Sequence, residues 1–424
     1  MAIQQSETAR LQIIRPLCCL LLAAALLVGC SKTELPEPQP QPDAPARHTV
    51  LLYMPGQSLL RFYRSNIQHF EDAVTAGLTE NGRVLVCYQP ESYDKATLLE
   101  IRYDSQQQTS VTETLKIYEH FRAENPASVD ELFRDVAQLA PAESYGLIIG
   151  SHGAGWIPDG VGLSLAPREI ATQPAGAIVT RGGGTTDAEE FTRTFGDSGH
   201  VLETTELAKI VQGLPYRFDY LIFDACFMAN IEMLYDLRDA FDYVIASPCE
   251  IIGYGFPYDR LAPCLFSGST PDLASVCYEF WYFYMYDWDT VSNNAQSGCI
   301  SLAVMDELEA LAACVADILA GPLRDYDLAE LQYFEGLSSH MFYDLAQYIR
   351  AICDDDIRYA RFEEQLARAF PVSERLHTPS YYSVYNYRMN PVEHYSGVTT
   401  SAPALRYQEL CQKTGWYQRT HAAN

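Results

Sequence analysis

Positive charge is scarce in this chain of 424 residues: 29 Lys and Arg face 55 Asp and Glu, for a formal net charge of −26. Such a balance argues against a nucleic-acid ligand and favours the approach of basic peptides, although solubility alone is the commoner reason for it. No C-x-x-C pair occurs among the twelve cysteines, so no zinc site is indicated. Acids such as Asp197, Asp354, Asp355 and Asp356 do not fall into a loop with calcium-ligand spacing. The composition therefore implies no cofactor and leaves a calcium requirement open. A membrane-spanning run is also missing, because the apolar stretch Leu17–Val28 falls short of the roughly 20 residues a spanning helix needs.

What that short stretch does fit is an export signal. Arg10 and Arg15 precede it, and Leu27-Val28-Gly29-Cys30 looks like a bacterial lipoprotein processing site, which makes residues 1–29 a leader and Cys30 the lipidated first residue of the mature chain. An ordinary cleaved signal is the alternative. Loss of Glu7, Arg10 and Arg15 with the leader changes the formal charge from −26 to −27. Residues 31–46, rich in Pro and Gln, read as a tether that in extended form reaches up to about 50 Å from the membrane. Nine cysteines remain beyond Cys30, an odd number, and several, such as Cys87 and Cys314, sit in apolar surroundings typical of core thiols.

The folded part starts at the strand Thr49–Met54, closed by Pro55-Gly56. Ser58 is placed to cap a helix whose apolar face, Leu59, Tyr63, Ile67, Phe70 and Val74, has a 3.6-residue period. Strands follow at 83–88 and 97–103, and Ser128-x-x-Glu131 reads as a capping box opening another helix. Apolar runs at 145–150, 220–223 and 243–247, separated by helical patterns such as 204–212, predict buried parallel strands in an α/β fold: a mostly parallel sheet flanked by helices. Residues 306–424 read as a largely helical accessory region packed on that core, with helical patterns at 308–319 and 341–353 and a Tyr-rich stretch at 381–387 whose rings are expected to be structural.

Two strand ends carry chemistry. Tyr220–Phe223 is followed by Asp224, Ala225 and Cys226, and Phe227, Ile231 and Leu234 then recur at helical spacing, which sets Cys226 beside a helix start that would favour its thiolate. Tyr145–Gly150 runs into Ser151, His152 and Gly153, where glycines allow close backbone approach. Neighbouring parallel strands would bring His152 and Cys226 to one rim, the edge where active sites of open sheets collect. The plain alternative is a structural histidine and a buried thiol.

Ser-His-Gly-x-Gly-Trp at 151–156, Asp-Ala-Cys-x-Met at 224–228 with Glu232 and Tyr235, and Ala246-Ser247 with Gly253, Gly255, Pro257 and Tyr258 resemble the clostripain-like cysteine peptidases, relatives of the caspases, gingipains and legumains. The resemblance implies a caspase-like catalytic domain at 47–305 with Cys226 as nucleophile, His152 as general acid and base, and the amides of Gly153 and Cys226 as oxyanion hole. It further implies that Asp224 lines a pocket for Arg or Lys before the cut, and it makes the 164–199 loop the candidate for self-cleavage after a basic residue, a passive surface loop being the alternative. No third catalytic residue is evident, and Phe227 stands where Leu is more usual. The expectation is thus a monomeric, membrane-anchored endopeptidase that takes peptides or proteins with basic residues. A non-catalytic surface binding protein of the same fold is the alternative.

Overall fold

The computed structural model describes residues 45–80, 82–157, 195–197, 199–288 and 296–422. The leader, Cys30, most of the tether, and residues 164–194 and 198 of the long loop lie outside the described residues. In chain order the elements that position the site are β1 (Ala46–Met54), α1 (Leu60–Thr75), β2 (Gly82–Tyr88), β3 (Ala96–Asp104), β4 (Thr109–Tyr118), α2 (Pro126–Leu139) and β5 (Ala142–Gly150). A short pair, β6 (Gly196–Asp197) and β7 (His200–Val201), precedes α3 (Thr204–Gln212), β8 (Tyr220–Asp224), α4 (Ile231–Leu237), β9 (Tyr243–Ala246), α5 (Tyr258–Phe266) and α6 (Leu273–Tyr282). The rest comprises β10 (Cys299–Val304), α7 (Leu308–Leu319), β11 (Tyr343–Asp344), α8 (Leu345–Ile352), α9 (Asp356–Ala369), β12 (Leu376–His377), the hairpin β13 (Ser380–Ser383) and β14 (Arg388–Pro391), β15 (Thr399–Thr400), α10 (Gln408–Cys411) and α11 (Gly415–His421).

Nine strands form the main sheet in the order β12-β10-β9-β8-β5-β1-β2-β3-β4. Its centre, β9 to β2, is parallel, and antiparallel strands close both edges. Side chains alternate across the sheet, so Leu51, Tyr53, Leu221 and Phe223 join one apolar layer while Val50, Leu52, Tyr220 and Ile222 join the other. Both layers are covered by helices, which is why the central strands read as unbroken apolar runs. Leu308, Leu311, Phe362 and Leu366 of α7 and α9 belong to the same layer as Phe133 of α2. The C-terminal region therefore shares its core with the sheet, and β12 adds a strand to it.

Two helix starts differ from expectation. Helix α2 begins three residues ahead of the Ser128 box because Asn125 caps it, accepting from Ala127 N, with Pro126 at the first helical position. Helix α1 has no side-chain cap at all. The hydroxyl of Ser58 is engaged with Asp197 instead. All nine described cysteines are free thiols.

Candidate active site

Strands β5 and β8 are direct parallel neighbours, with Gly150 opposite Asp224 in register. Ser151 N continues the ladder by donating to Asp224 O at 3.2 Å. His152 and Cys226 each stand two residues beyond that register pair, so the two chains leave the sheet side by side, and adjacent strands are only about 4.8 Å apart. Contact between them is close enough to dictate a residue type: a Cβ on Gly153 would lie 2.0 Å from Cys226 O. The structure thus brings His152, Gly153, Asp224 and Cys226 to one rim. All four are buried, with His152 at 9% exposure and Asp224 and Cys226 at 0%.

The surroundings of Cys226 differ from the sequence reading in one respect. Helix α4 starts only at Ile231, with Asn230 as its cap, and Cys226 and Phe227 lie in a turn ahead of it. The partial charge of a helix end fades within a turn, so it is a weak influence on Cys226 here. Residue 251 brackets the sulfur instead: Ile251 N donates to Cys226 Sγ at 3.3 Å, and Sγ lies 3.8 Å from Ile251 O. The next residue, Phe227, has φ 60, in the left-handed region that a bulky side chain enters at a cost of about 1–3 kcal/mol. It is held there by Phe227 N donating to Cys249 O at 3.1 Å and by ring stacking on Phe342, with centroids 5.0 Å apart. The stacking gives Phe227 a physical reason for being aromatic.

Other motif residues are props rather than reactants. Trp156 donates from Nε1 to Ser401 Oγ at 2.9 Å, and Glu232 Oε1 accepts from Thr400 Oγ1 at 2.7 Å and from Ser401 N at 2.9 Å. One C-terminal segment therefore ties the histidine loop to the helix behind the cysteine. Burial raises the Glu232 pKa to about 7, against the opposing pull of those two donors. Glu250, one residue before Ile251, is also fully buried, raised to about 8 by desolvation, and bonded to Ser383 Oγ at 2.6 Å and Val384 N at 3.1 Å. It fastens the tyrosine-rich hairpin, whose Tyr381 is buried as expected. Asp224 Oδ2 accepts from Tyr258 OH at 2.7 Å, which puts the Pro257-Tyr258 pair behind the acid.

Sequence reasoning missed two groups on the same rim. Ser58 Oγ lies 3.0 Å from His152 Nε2 and 2.5 Å from Asp197 Oδ1. The only available sign was a hydroxyl just past the exit of β1, and a helix cap explained it well enough. Among the described residues, no three His, Cys, Asp or Glu side chains are grouped as metal ligands would be.

A parallel sheet that delivers a histidine and a cysteine to adjoining positions on one rim defines a caspase-like cysteine hydrolase. The model of the clostripain family, peptidase C11, matches residues 182–392, a span that holds Asp224 and Cys226 and begins beyond His152. A secreted C11 cysteine protease from Bacteroides thetaiotaomicron, iotapain, superimposes with a TM-score of 0.74 at 28% identity over 89% of this chain and 100% of that one. An inactive zymogen C11 protease from Parabacteroides distasonis gives 0.70 at 23% identity over 89% and 99% of the two chains, and speaks for the fold. So does a secreted C11 protease from Bacteroides thetaiotaomicron in complex with an irreversible peptide inhibitor, at 0.70, 24% identity, 88% and 98%. A search of curated proteins gives no match. Over residues 182–392 this chain matches the clostripain family, and it is a cysteine peptidase, acting on peptide or protein substrates.

Proposed function

We propose that the protein is a lipid-anchored endopeptidase working outside the cytoplasm, cutting after Arg or Lys through Cys226 and His152. The observation that carries this reading is the β5–β8 register, which sets the two residues at equivalent positions on adjacent strands. In the reaction the Cys226 thiolate attacks the peptide carbonyl carbon, and the carbonyl oxygen takes up the negative charge. Amides of Gly153 and Cys226 hold that oxyanion, an interaction worth about 2.7–4 kcal/mol per donor. The His152 imidazolium then gives its proton to the departing amine as the C–N bond breaks, leaving a thioester. Water, deprotonated by His152, attacks the thioester and releases the acid and the thiolate.

Preference for a basic side chain rests on Asp224, a buried carboxylate two residues before the nucleophile. Facing a guanidinium at about 4 Å in an effective dielectric near 20, it contributes roughly 4 kcal/mol before desolvation. The acidic chain, at −26, works in the same direction at long range. Anchoring through Cys30 rests on the Leu27–Cys30 processing motif, and iotapain is described as secreted. Self-cleavage is assigned to the 164–199 loop, after Arg168, Arg181 or Arg193.

A fluorogenic arginyl peptide tests the core of this. The wild type hydrolyses it and Cys226→Ala does not; equal rates in both would remove the nucleophile. Asp224→Asn is expected to lose the preference for Arg over Leu substrates. An unchanged ratio would leave Asp224 as a strand-end acid only. At neutral pH the wild type yields two chains while Cys226→Ala stays whole; identical gels would dismiss self-maturation.

A further inference from the structure

We propose that Ser58 and Asp197 are positioning residues that fix the tautomer and orientation of His152, completing a line Cys226–His152–Ser58–Asp197. The inference rests on the reading of Cys226 and His152 as the reacting pair and adds to it the two groups behind the imidazole.

The chain past β1 is folded around one carboxylate. Asp197, 4% exposed, accepts from Gln57 N at 2.7 Å, Ser58 N at 2.9 Å and Tyr93 OH at 2.8 Å through Oδ2, and from Ser58 Oγ at 2.5 Å through Oδ1. Gly56, with φ +92, is required for the wrap, since a Cβ there would sit 2.6–2.8 Å from the Asp197 carboxylate atoms. Burial, the largest single influence, raises the Asp197 pKa, but the donors from Ser58, Gln57 and Tyr93 together outweigh it and leave it lowered. Asp197 is therefore an anion near neutral pH and can only accept hydrogen bonds.

Proton counting then settles the direction of each bond. Two oxygens 2.5 Å apart need a proton between them, and the carboxylate has none to give, so the single hydroxyl proton of Ser58 points at Asp197. Toward His152 Nε2, 3.0 Å away, the Ser58 oxygen can only accept. Nε2 consequently carries hydrogen, and in the neutral ring the lone pair lies on Nδ1, the nitrogen that takes the thiol proton. When the ring becomes imidazolium, its new charge meets a hydroxyl dipole backed by an anion, the same service an aspartate renders directly in a serine-protease triad. A second tie holds the loop itself: Gly196 N donates to Ser151 Oγ at 3.2 Å, and that hydroxyl donates to His152 O at 2.8 Å. Adjacent residues 196 and 197 thus grip both the backbone and the ring of His152.

The test compares the wild type with Cys226→Ala, His152→Ala, Ser58→Ala, Ser58→Thr and Asp197→Asn in two measurements. One is hydrolysis of the arginyl peptide; the other is the rate at which iodoacetamide alkylates Cys226 across pH, followed by mass spectrometry, which needs no substrate. Ser58→Ala and Asp197→Asn are expected to lower kcat about ten- to a hundredfold with KM within about twofold. Both should slow alkylation of Cys226 below the ordinary thiol range near 8.5, where only an ion-paired thiolate reacts. Ser58→Thr, which keeps the hydroxyl, should recover most of both. Wild-type kcat and alkylation in Ser58→Ala, or the same loss in Ser58→Thr as in Ser58→Ala, overturns the proposal even if Asp197→Asn fails to fold. Hydrolysis that survives Cys226→Ala is a different outcome and strikes the underlying peptidase assignment instead.

Discussion

Replacing Glu232 with Gln should flatten part of the stability–pH profile of this protein. Glu232 is fully buried behind the nucleophile turn, and its pKa is lifted from 4.5 to about 7, chiefly by burial. A carboxyl whose pKa rises on folding stabilises the native state in its protonated form. That contribution is fully present below 4.5 and is lost as pH climbs through about 7. At 1.36 kcal/mol for each pH unit between the two values, the whole loss is about 3 kcal/mol. Gln keeps a carbonyl oxygen for Thr400 Oγ1 and Ser401 N, the two donors of Glu232 Oε1, and never ionises. Urea unfolding at pH 5 and pH 8 measures the difference. The stability of Glu232→Gln relative to wild type should rise by about 2–3 kcal/mol between the two conditions. Glu250 and Asp344, also raised by burial, slope in the same direction in both proteins and cancel in the comparison. An identical offset at both pH values would refute the reasoning, because it would mean that Glu232 titrates alike in the folded and unfolded chain.

Gly153→Ala places a Cβ 2.0 Å from Cys226 O, and a displacement of that order at the reacting centre should cost about a hundredfold in kcat, read with the arginyl peptide. Tyr258→Phe removes the hydroxyl 2.7 Å from Asp224 Oδ2; a buried carboxylate deprived of that donor should lose about 1–3 kcal/mol of stability by urea unfolding. Loss of that donor also lets Asp224 turn, so the Arg-over-Leu ratio should narrow in the same variant.

Much of the sheet is legible in the chain because burial on both faces leaves a local mark. The runs Thr49–Met54, Tyr145–Gly150, Tyr220–Phe223 and Tyr243–Ala246 are each apolar, short and closed by small or polar residues, and each is a central strand. Helices α3 and α7 match their expected bounds, 204–212 and 308–319, since their apolar periods stop where the helices do. Strand β4 left a weaker mark. It is an edge strand half open to solvent, so its Thr-rich alternation resembles a polar linker. The start of α4 is also hard to read, because Phe227 falls at helical spacing from Ile231 while lying in a turn with φ 60.

The sequence by itself determined that a histidine and a cysteine each end a buried strand, since both motifs are local and their flanking residues spell out the strand exits. Tertiary structure alone decided that β5 and β8 are neighbours in register, because strand order depends on how crossovers pack and no run of residues encodes it. The same holds for Ser58 and Asp197, which are 139 positions apart and meet His152 only once β1 lies beside β5. A hydroxyl after a turn can cap a helix or hold an imidazole, and the choice belongs to whatever the fold brings within 3.0 Å of it.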